Sequence, residues 1–279
     1  MQPPMARTVA LFLLLLAPLA RAQTVVAFAT DAISTPGKKV VVQAKFKQGS
    51  QPVANRQAKL ELLGVVHTVR TDAAGVAQVE VKPSAVGTFP IEACLGDATS
   101  SATLHVIPAS RPVVVCDLDE TLSNLPFMDM LHSGPPAPTY PGAPALLREL
   151  AATHTVVYLT ARPDTLVKKT RAFLAAHDFP AGPLLMDDLR GISDDGRQKL
   201  ATLQAMKARG VKLAFGIGNT KHDALAYEGA GMRSYIKTSE PLPAEYSASV
   251  RFPTYANLRR KLVDAGVLSA GLVSALPGN

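Results

Sequence analysis

Pro112-Val113-Val114-Val115-Cys116-Asp117-Leu118-Asp119-Glu120-Thr121-Leu122-Ser123 is the stretch that decides the fold. Three valines run directly into an Asp-x-Asp-x-Thr cluster. An unbroken apolar run of this kind reads as a strand buried on both faces, the central strand of a parallel sheet. In an open α/β sheet, ligands bind at the carboxyl ends of the strands. Two carboxylates two residues apart therefore leave the strand where a ligand would sit. One can act as nucleophile, and the pair can hold a hard cation. A solvated surface turn would account for the two aspartates but not for the apolar run in front of them.

Downstream of this strand, helices and strands alternate, the signature of an α/β domain with a mainly parallel sheet. A Pro/Gly-rich loop over 133–144 precedes a helix near 145–152. A second strand, Thr155 to Leu159, ends in Thr160-Ala161-Arg162, and Pro163 suits the first turn of a helix running to about His177. Then come a short strand (184–186), a helix from Arg197 to Arg209 closed by Gly210, and a strand over 212–217. That strand ends in Gly218-Asn219-Thr220-Lys221-His222-Asp223. A further helix leads to a last strand at 234–237, and Thr254 caps a final helix to about Ala265. Asp117, Thr160, Asn219 and Asp223 all fall at carboxyl ends of expected strands, and Lys199 opens a helix between them.

Taken together, these residues resemble the haloacid dehalogenase superfamily of phosphohydrolases. Its four motifs occur in order: Asp117-Leu118-Asp119-Glu120-Thr121, Thr160, Lys199, and Gly218-Asn219-x-x-x-Asp223. Within the superfamily the chain looks most like the lipin and Nir-type, phosphatidate-related branch. Tyr158-Leu159-Thr160-Ala161-Arg162-Pro163, Gly182-Pro183-Leu184-Leu185 and Phe215-Gly216-x-Gly218-Asn219 carry that similarity. Many superfamily members have Asp where this chain has Asn219; the lipin-like branch uses Gly-Asn.

The resemblance implies a Rossmann-like three-layer domain and a Mg²⁺-dependent phosphomonoester hydrolase with an aspartyl-phosphate intermediate. It makes Asp117 the nucleophile and Asp119 the general acid and base. Mg²⁺ would be held by Asp117, the Asp119 carbonyl, Asn219 and Asp223. Thr121, Thr160 and Lys199 would bind the phosphoryl group. Arg162 has two readings, a contact to substrate phosphate or a structural arginine bonding loop carbonyls. Lys207 lies on the same expected helix as Lys199 and competes for its role. His222 reads as a solvated turn residue, and Asp187, Asp188, Asp194 and Asp195 as a solvated loop.

Only about 35 residues separate Asp119 from the second strand, and no cap insertion fits between Thr160 and Lys199. An open site of this kind suits a large or membrane-bound phosphoester, phosphatidate among them, better than a small metabolite. The apolar stretch Phe127 to Leu131 could dip into lipid or form a helix packed on the core; the second reading is slightly favoured. The alternatives to a lipid phosphatase are a phosphatase of small-molecule or protein phosphoesters and a non-catalytic phospholipid-binding module.

The first half differs in kind. Expected strands at 24–29, 39–46, 59–63, 65–70, 76–81, 88–94 and 101–107 are separated by turn signals such as Pro36-Gly37 and Gly96-Asp97. About seven strands at this spacing suggest an antiparallel, Ig-like sandwich over residues 23–109. Thr71-Asp72-Ala73-Ala74-Gly75-Val76-Ala77 resembles the turn of bacterial invasin-type immunoglobulin-like domains, which implies a fold and not an activity. A spacer or binding module follows from it. Pro108 to Pro112 reads as linker, residues 110–267 as the phosphatase-like domain and 268–279 as a tail.

The N-terminus reads as an address. Arg7 precedes a thirteen-residue apolar stretch from Thr8 to Ala20, and Ala20-Arg21-Ala22 has the form of a cleavage site. A secretory signal peptide over residues 1–22, cleaved near Ala22, implies export to a periplasm or the exterior. Removing its two arginines lowers the formal charge from +7 to +5. That mild basic bias favours phosphorylated substrates or anionic lipid, and general solubility explains it equally well. Scarce aromatics, 5% with no Trp, argue against a nucleic-acid partner built on stacking. Cys94 and Cys116 fall in different halves and are expected to be reduced; no Cys/His group has zinc-ligand spacing.

Overall fold

The structure is a computed structural model that describes residues 24–125, 137–186, 196–243, 246 and 249–270. The expected signal peptide, the stretch from Phe127 to Leu131 and the loop holding Asp187, Asp188, Asp194 and Asp195 lie outside the described residues. Among those described, no helix is long and apolar enough to cross a membrane.

The first half is a two-layer sandwich. One sheet joins β1 (Val25–Ala29), β3 (Val40–Gln48), β4 (Gln51–Pro52) and β7 (Val76–Val81). The other runs in the order β2 (Ala32–Ser34), β9 (Ala98–Val106), β8 (Gly87–Leu95), β5 (Gln57–Leu62), β6 (Val65–Arg70). Strict alternation along β3 buries Val40, Val42, Ala44 and Phe46 and turns Val41 and Gln43 outward. The inward residues meet Leu60, Ile91, Ala93 and Leu104 of the facing sheet in one apolar cluster.

The sandwich differs from expectation in two ways, of which one breaks the antiparallel pattern. β2 and β4 were not foreseen, and β2 pairs parallel to β9, through Ile33 opposite His105. The Asp72–Gly75 turn explains its own sequence. Asp72 Oδ1 accepts from the N–H groups of Ala74 and Val76 at 2.8 and 2.9 Å. Gly75 sits at φ +75°, and a Cβ there would lie 2.5 Å from the Phe46 carbonyl oxygen.

The second half is a three-layer α/β unit. Its six-stranded sheet runs β12 (Leu184–Met186), β11 (Thr155–Thr160), β10 (Pro112–Cys116), β13 (Lys212–Gly218), β14 (Arg233–Lys237), β15 (Ser249–Phe252). Every adjacent pair is parallel. β10 is buried on both faces as expected, with Val113, Val114, Val115 and Cys116 all at 0% exposure. Val114 and Cys116 meet α1 (Ala143–Ala151), α2 (Val167–Ala176) and α5 (Tyr255–Asp264) on one face. Val113 and Val115 meet α3 (Arg197–Ala208) and α4 (Lys221–Gly229) on the other. Strand β15 was not foreseen. Thr254 does cap α5, accepting from the Asn257 N–H at 3.2 Å.

The two halves are joined by more than a linker. Ile33 and Ile107 pack into the cluster beneath α3 and α4. The side chain of Asp31, wholly buried, accepts from Arg171 Nη2 at 2.7 Å, the Thr103 N–H at 2.8 Å and the Leu184 N–H at 2.9 Å. Arg171 and Leu184 belong to the α/β half and Thr103 to the sandwich. Cys94 and Cys116 are both free thiols, and burial pushes the Cys116 thiol up.

Candidate functional site

The chain leaves β10 in one direction, through β11 to β12, and resumes on the other side with β13, β14 and β15. Such a reversal opens a crevice at the carboxyl edge of the sheet, where ligands bind in open α/β folds. Asp117 follows β10 directly, and its N–H donates to the Ile217 carbonyl of β13 at 2.9 Å. Two tight backbone bonds, from the N–H groups of Leu122 and Ser123 to the Leu118 carbonyl, fold the next residues back, with Glu120 at φ 54°.

A cavity of about 300 Å³ lies here, lined by Asp117, Asp119, Thr160, Arg162, Lys199, Asn219 and Asp223. Of the eight residues to which the resemblance gives a role at the site, all but one line it. The remaining one, Thr121, hydrogen-bonds Asp117 Oδ2 and Asn219 Oδ1, each at 3.1 Å.

The centre is a buried charge triad. Lys199 Nζ donates to Asp117 Oδ1 at 2.7 Å and to Asp223 Oδ1 at 2.6 Å. Burial pushes the Asp117 carboxyl up to about 6; Lys199 opposes the rise and Asp223 adds to it. Burial also acts to raise the Asp223 carboxyl, but Lys199 and the Thr220 hydrogen bonds outweigh it and hold the group below its ordinary value. The same two carboxylates hold the Lys199 ammonium above its ordinary value despite burial. Lys207 sits at the far end of α3 and donates to the Ala230 carbonyl. It is not at the site.

Asp223 is fixed by a capping box that the sequence carried unread. Its Oδ2 accepts from the Asn219 N–H, the Thr220 N–H and Thr220 Oγ1, and its N–H donates back to Thr220 Oγ1 at 3.2 Å. Thr220-x-x-Asp223 was the available signal. Gly218 makes room: a Cβ there would lie 2.4 Å from that of Asp223. His222 lies in the first turn of α4 rather than in a turn, and it also lines the cavity.

Arg162 is 1% exposed. Its Nε and Nη2 grip Asp119 at 2.9 and 2.7 Å, and Nη1 donates to Thr170 at 3.1 Å. Neither sequence reading of Arg162, a phosphate contact or a carbonyl-bonding structural arginine, included this carboxylate. Thr160 Oγ1 accepts from the Arg162 N–H at 3.3 Å.

No group of three or more His, Cys, Asp or Glu among the described residues could hold a metal. The residues nevertheless fit Mg²⁺, which takes one or two carboxylates and completes its shell with water and phosphate. Two buried carboxylates share one ammonium, which leaves an excess negative charge, and the Asn219 carboxamide adds a hard oxygen.

Residues 114–236 match the family model described as "PITM 1-3, LNS2 domain". A curated relative, membrane-associated phosphatidylinositol transfer protein 3 of Homo sapiens, is 28% identical over 151 residues. The match covers 53% of this chain and 15% of that protein, so the chain spans only a small part of the relative's length. A chain of the Pnkp1/Rnl/Hen1 complex is similar at 20% identity, with 42% of each chain covered and a TM-score of 0.35. Invasin, a bacterial integrin-binding protein, is similar at 17% identity over 33% of this chain and 23% of that one, with a TM-score of 0.26.

Proposed function

We propose that the chain is an exported, Mg²⁺-dependent phosphohydrolase that works through an aspartyl-phosphate, with phosphatidate or another lipid or large phosphomonoester as substrate. The observation that carries the reading is the triad of Asp117, Lys199 and Asp223 at the crevice where the sheet reverses. In this reading an Asp117 oxygen forms a bond to phosphorus as the ester oxygen leaves. Asp119 protonates that oxygen, then takes a proton from the water that releases phosphate. In the structure each Asp119 oxygen accepts one bond from the Arg162 guanidinium, which leaves each a further lone pair for the proton. Lys199 and Thr160 hold phosphoryl oxygens and oppose the charge developing on them. Held by Asp117, the Asp119 carbonyl, Asn219 and Asp223, Mg²⁺ would supply positive charge that lets an anionic ester approach an anionic nucleophile.

The LNS2 match supports the phosphohydrolase part of the reading, since LNS2 domains are haloacid-dehalogenase-like, and the relative named as a phosphatidylinositol transfer protein supports the lipid part. The apolar segment from Thr8 to Ala20 supports export. The sandwich is read as an invasin-type, Ig-like module.

One observation favours a second reading, a phospholipid-binding module without turnover: the bidentate grip of Arg162 on Asp119, the general acid of the first reading. Phosphate release from an aryl phosphate and from phosphatidate vesicles, with and without Mg²⁺, decides between them. Mg²⁺-dependent release lost in Asp117→Asn is expected. Vesicle binding without release would overturn the enzymatic reading in favour of the second.

A further inference from the structure

β10 and β11 run side by side, with Cys116 opposite Tyr158, and each delivers a charged residue to the cavity just beyond its end. Asp119 follows β10 and Arg162 follows β11. The two differ in what they present. The Asp119 side chain is 19% exposed, whereas that of Arg162 is 1% exposed.

The guanidinium is anchored on α2. Its Nη1 donates to the fully buried Thr170 at 3.1 Å, and its carbon lies 5.8 Å from the centre of the buried Phe173 ring. Thr170 and Phe173 are three positions apart and share one face of that helix. Nε and Nη2 then form a fork whose prongs reach the two Asp119 oxygens at 2.9 and 2.7 Å. A bidentate pair of this kind fixes the plane of a carboxylate as well as its place. A partly exposed aspartate held by one bond, or by none, would be free to change rotamer.

The value of a fixed acid depends on the leaving oxygen. 4-Nitrophenolate departs as a stable anion and needs little help from a proton. An alkoxide does not, so an alkyl phosphomonoester depends on a well-placed general acid. A displacement of about 1 Å costs about a hundredfold in rate.

We infer that Arg162 is a positioning residue: its fork holds the Asp119 carboxyl at the leaving-group side of the site and so suits the site to phosphomonoesters of alkyl alcohols. The inference rests on the phosphohydrolase reading and agrees with phosphatidate, whose leaving group is an alkyl alcohol. As the ester P–O bond breaks, a proton passes from Asp119 to the departing oxygen, which leaves as the neutral alcohol. Arg162 acts through Asp119 and contacts neither phosphorus nor the alcohol.

The test compares kcat/KM for a short-chain, water-soluble phosphatidate and for 4-nitrophenyl phosphate in the full chain with Mg²⁺. This ratio covers binding and the first transfer, in which the alcohol departs, and not the later hydrolysis common to both esters. Arg162→Lys keeps the charge and loses the fork. It should lower the phosphatidate value about a hundredfold, and the aryl value at least about tenfold less. Thr170→Val removes the anchor and leaves the fork, so the same imbalance is expected at about three- to tenfold. Circular dichroism checks the folding of each variant, and Thr170→Val carries the test if Arg162→Lys does not fold. Inorganic phosphate, measured by calorimetry, should bind both variants within about twofold of the parent. Equal losses on the two esters, or a phosphate affinity that falls in parallel with the phosphatidate value, would overturn the inference alone. A parent chain that turns over only the aryl ester would do the same. If the parent releases phosphate from neither ester, the phosphohydrolase reading falls and takes this inference with it.

Discussion

Replacing Lys199 by methionine tests whether the ammonium is what allows two carboxylates to be buried together. The substitution keeps most of the aliphatic stem and removes only the charge. Two bonds are lost, 2.7 Å to Asp117 and 2.6 Å to Asp223, between side chains that are all 10% exposed or less. Charged hydrogen bonds are worth about 1.5–3 kcal/mol each, and removing one partner of a buried ion pair costs about 3–5 kcal/mol. A loss of about 4 kcal/mol is therefore expected at neutral pH. For a chain of this size it corresponds to a fall in Tm of roughly 10 °C. Urea and thermal melts followed by circular dichroism measure it. A companion variant, Lys199→Met with Asp223→Asn, removes one of the two negative charges and returns the net charge of the group to that of the parent. It should recover about 2 kcal/mol of the loss. A single-variant loss under about 1 kcal/mol, or a companion less stable than the single variant, would refute the view that like charges are held together here by one cation.

Asp31→Ala leaves the Thr103 and Leu184 N–H groups without their acceptor and frees Arg171. A loss of about 3 kcal/mol is expected, with urea unfolding splitting into two transitions; one unchanged transition would count against Asp31 tying the two halves together. Gly182→Ala would set a Cβ 2.0 Å from the Val156 carbonyl oxygen, so a stability loss of about 3 kcal/mol is expected in urea melts, and less than about 0.5 kcal/mol would contradict the packing. His154 is 8% exposed with its ring 5.7 Å from that of Phe215, and burial lowers its proton affinity. The unfolded chain then binds the proton more readily, so the histidine's contribution is full above about pH 6.5 and is lost as pH falls through the lower folded value. Melting temperatures should fall less between pH 7 and pH 5 in His154→Phe than in the parent chain; parallel slopes would exclude this histidine as a source.

What could be read in the sequence was whatever a short window contains. Val113 to Cys116 has no polar residue and so had to be covered on both faces. Strict alternation along β3 and β7 gave the sandwich its inner face, and Thr254 could be placed because a cap bonds only three residues ahead. β2, β4 and β15 are three, two and four residues long, too short to show a period, and β2 exists only because β9, about seventy residues later, lies beside it. The candidate site divides the same way. Asp117, Lys199 and Asp223 were visible as residue types at strand and helix ends. The grip of Arg162 on Asp119 spans 43 positions, so it left no local trace.

The place of β10 in its sheet has a consequence for how the molecule comes together. It is the first strand of that sheet in the chain, yet it lies in the middle, against β11 and against β13, which begins a hundred residues later. Pairings this distant in sequence form slowly, and a chain made from its N-terminus has its sandwich available long before them. Asp117 meets Lys199 and Asp223 only after α3 and α4 have emerged and docked, so the negative charge gathers last, in a nearly finished protein.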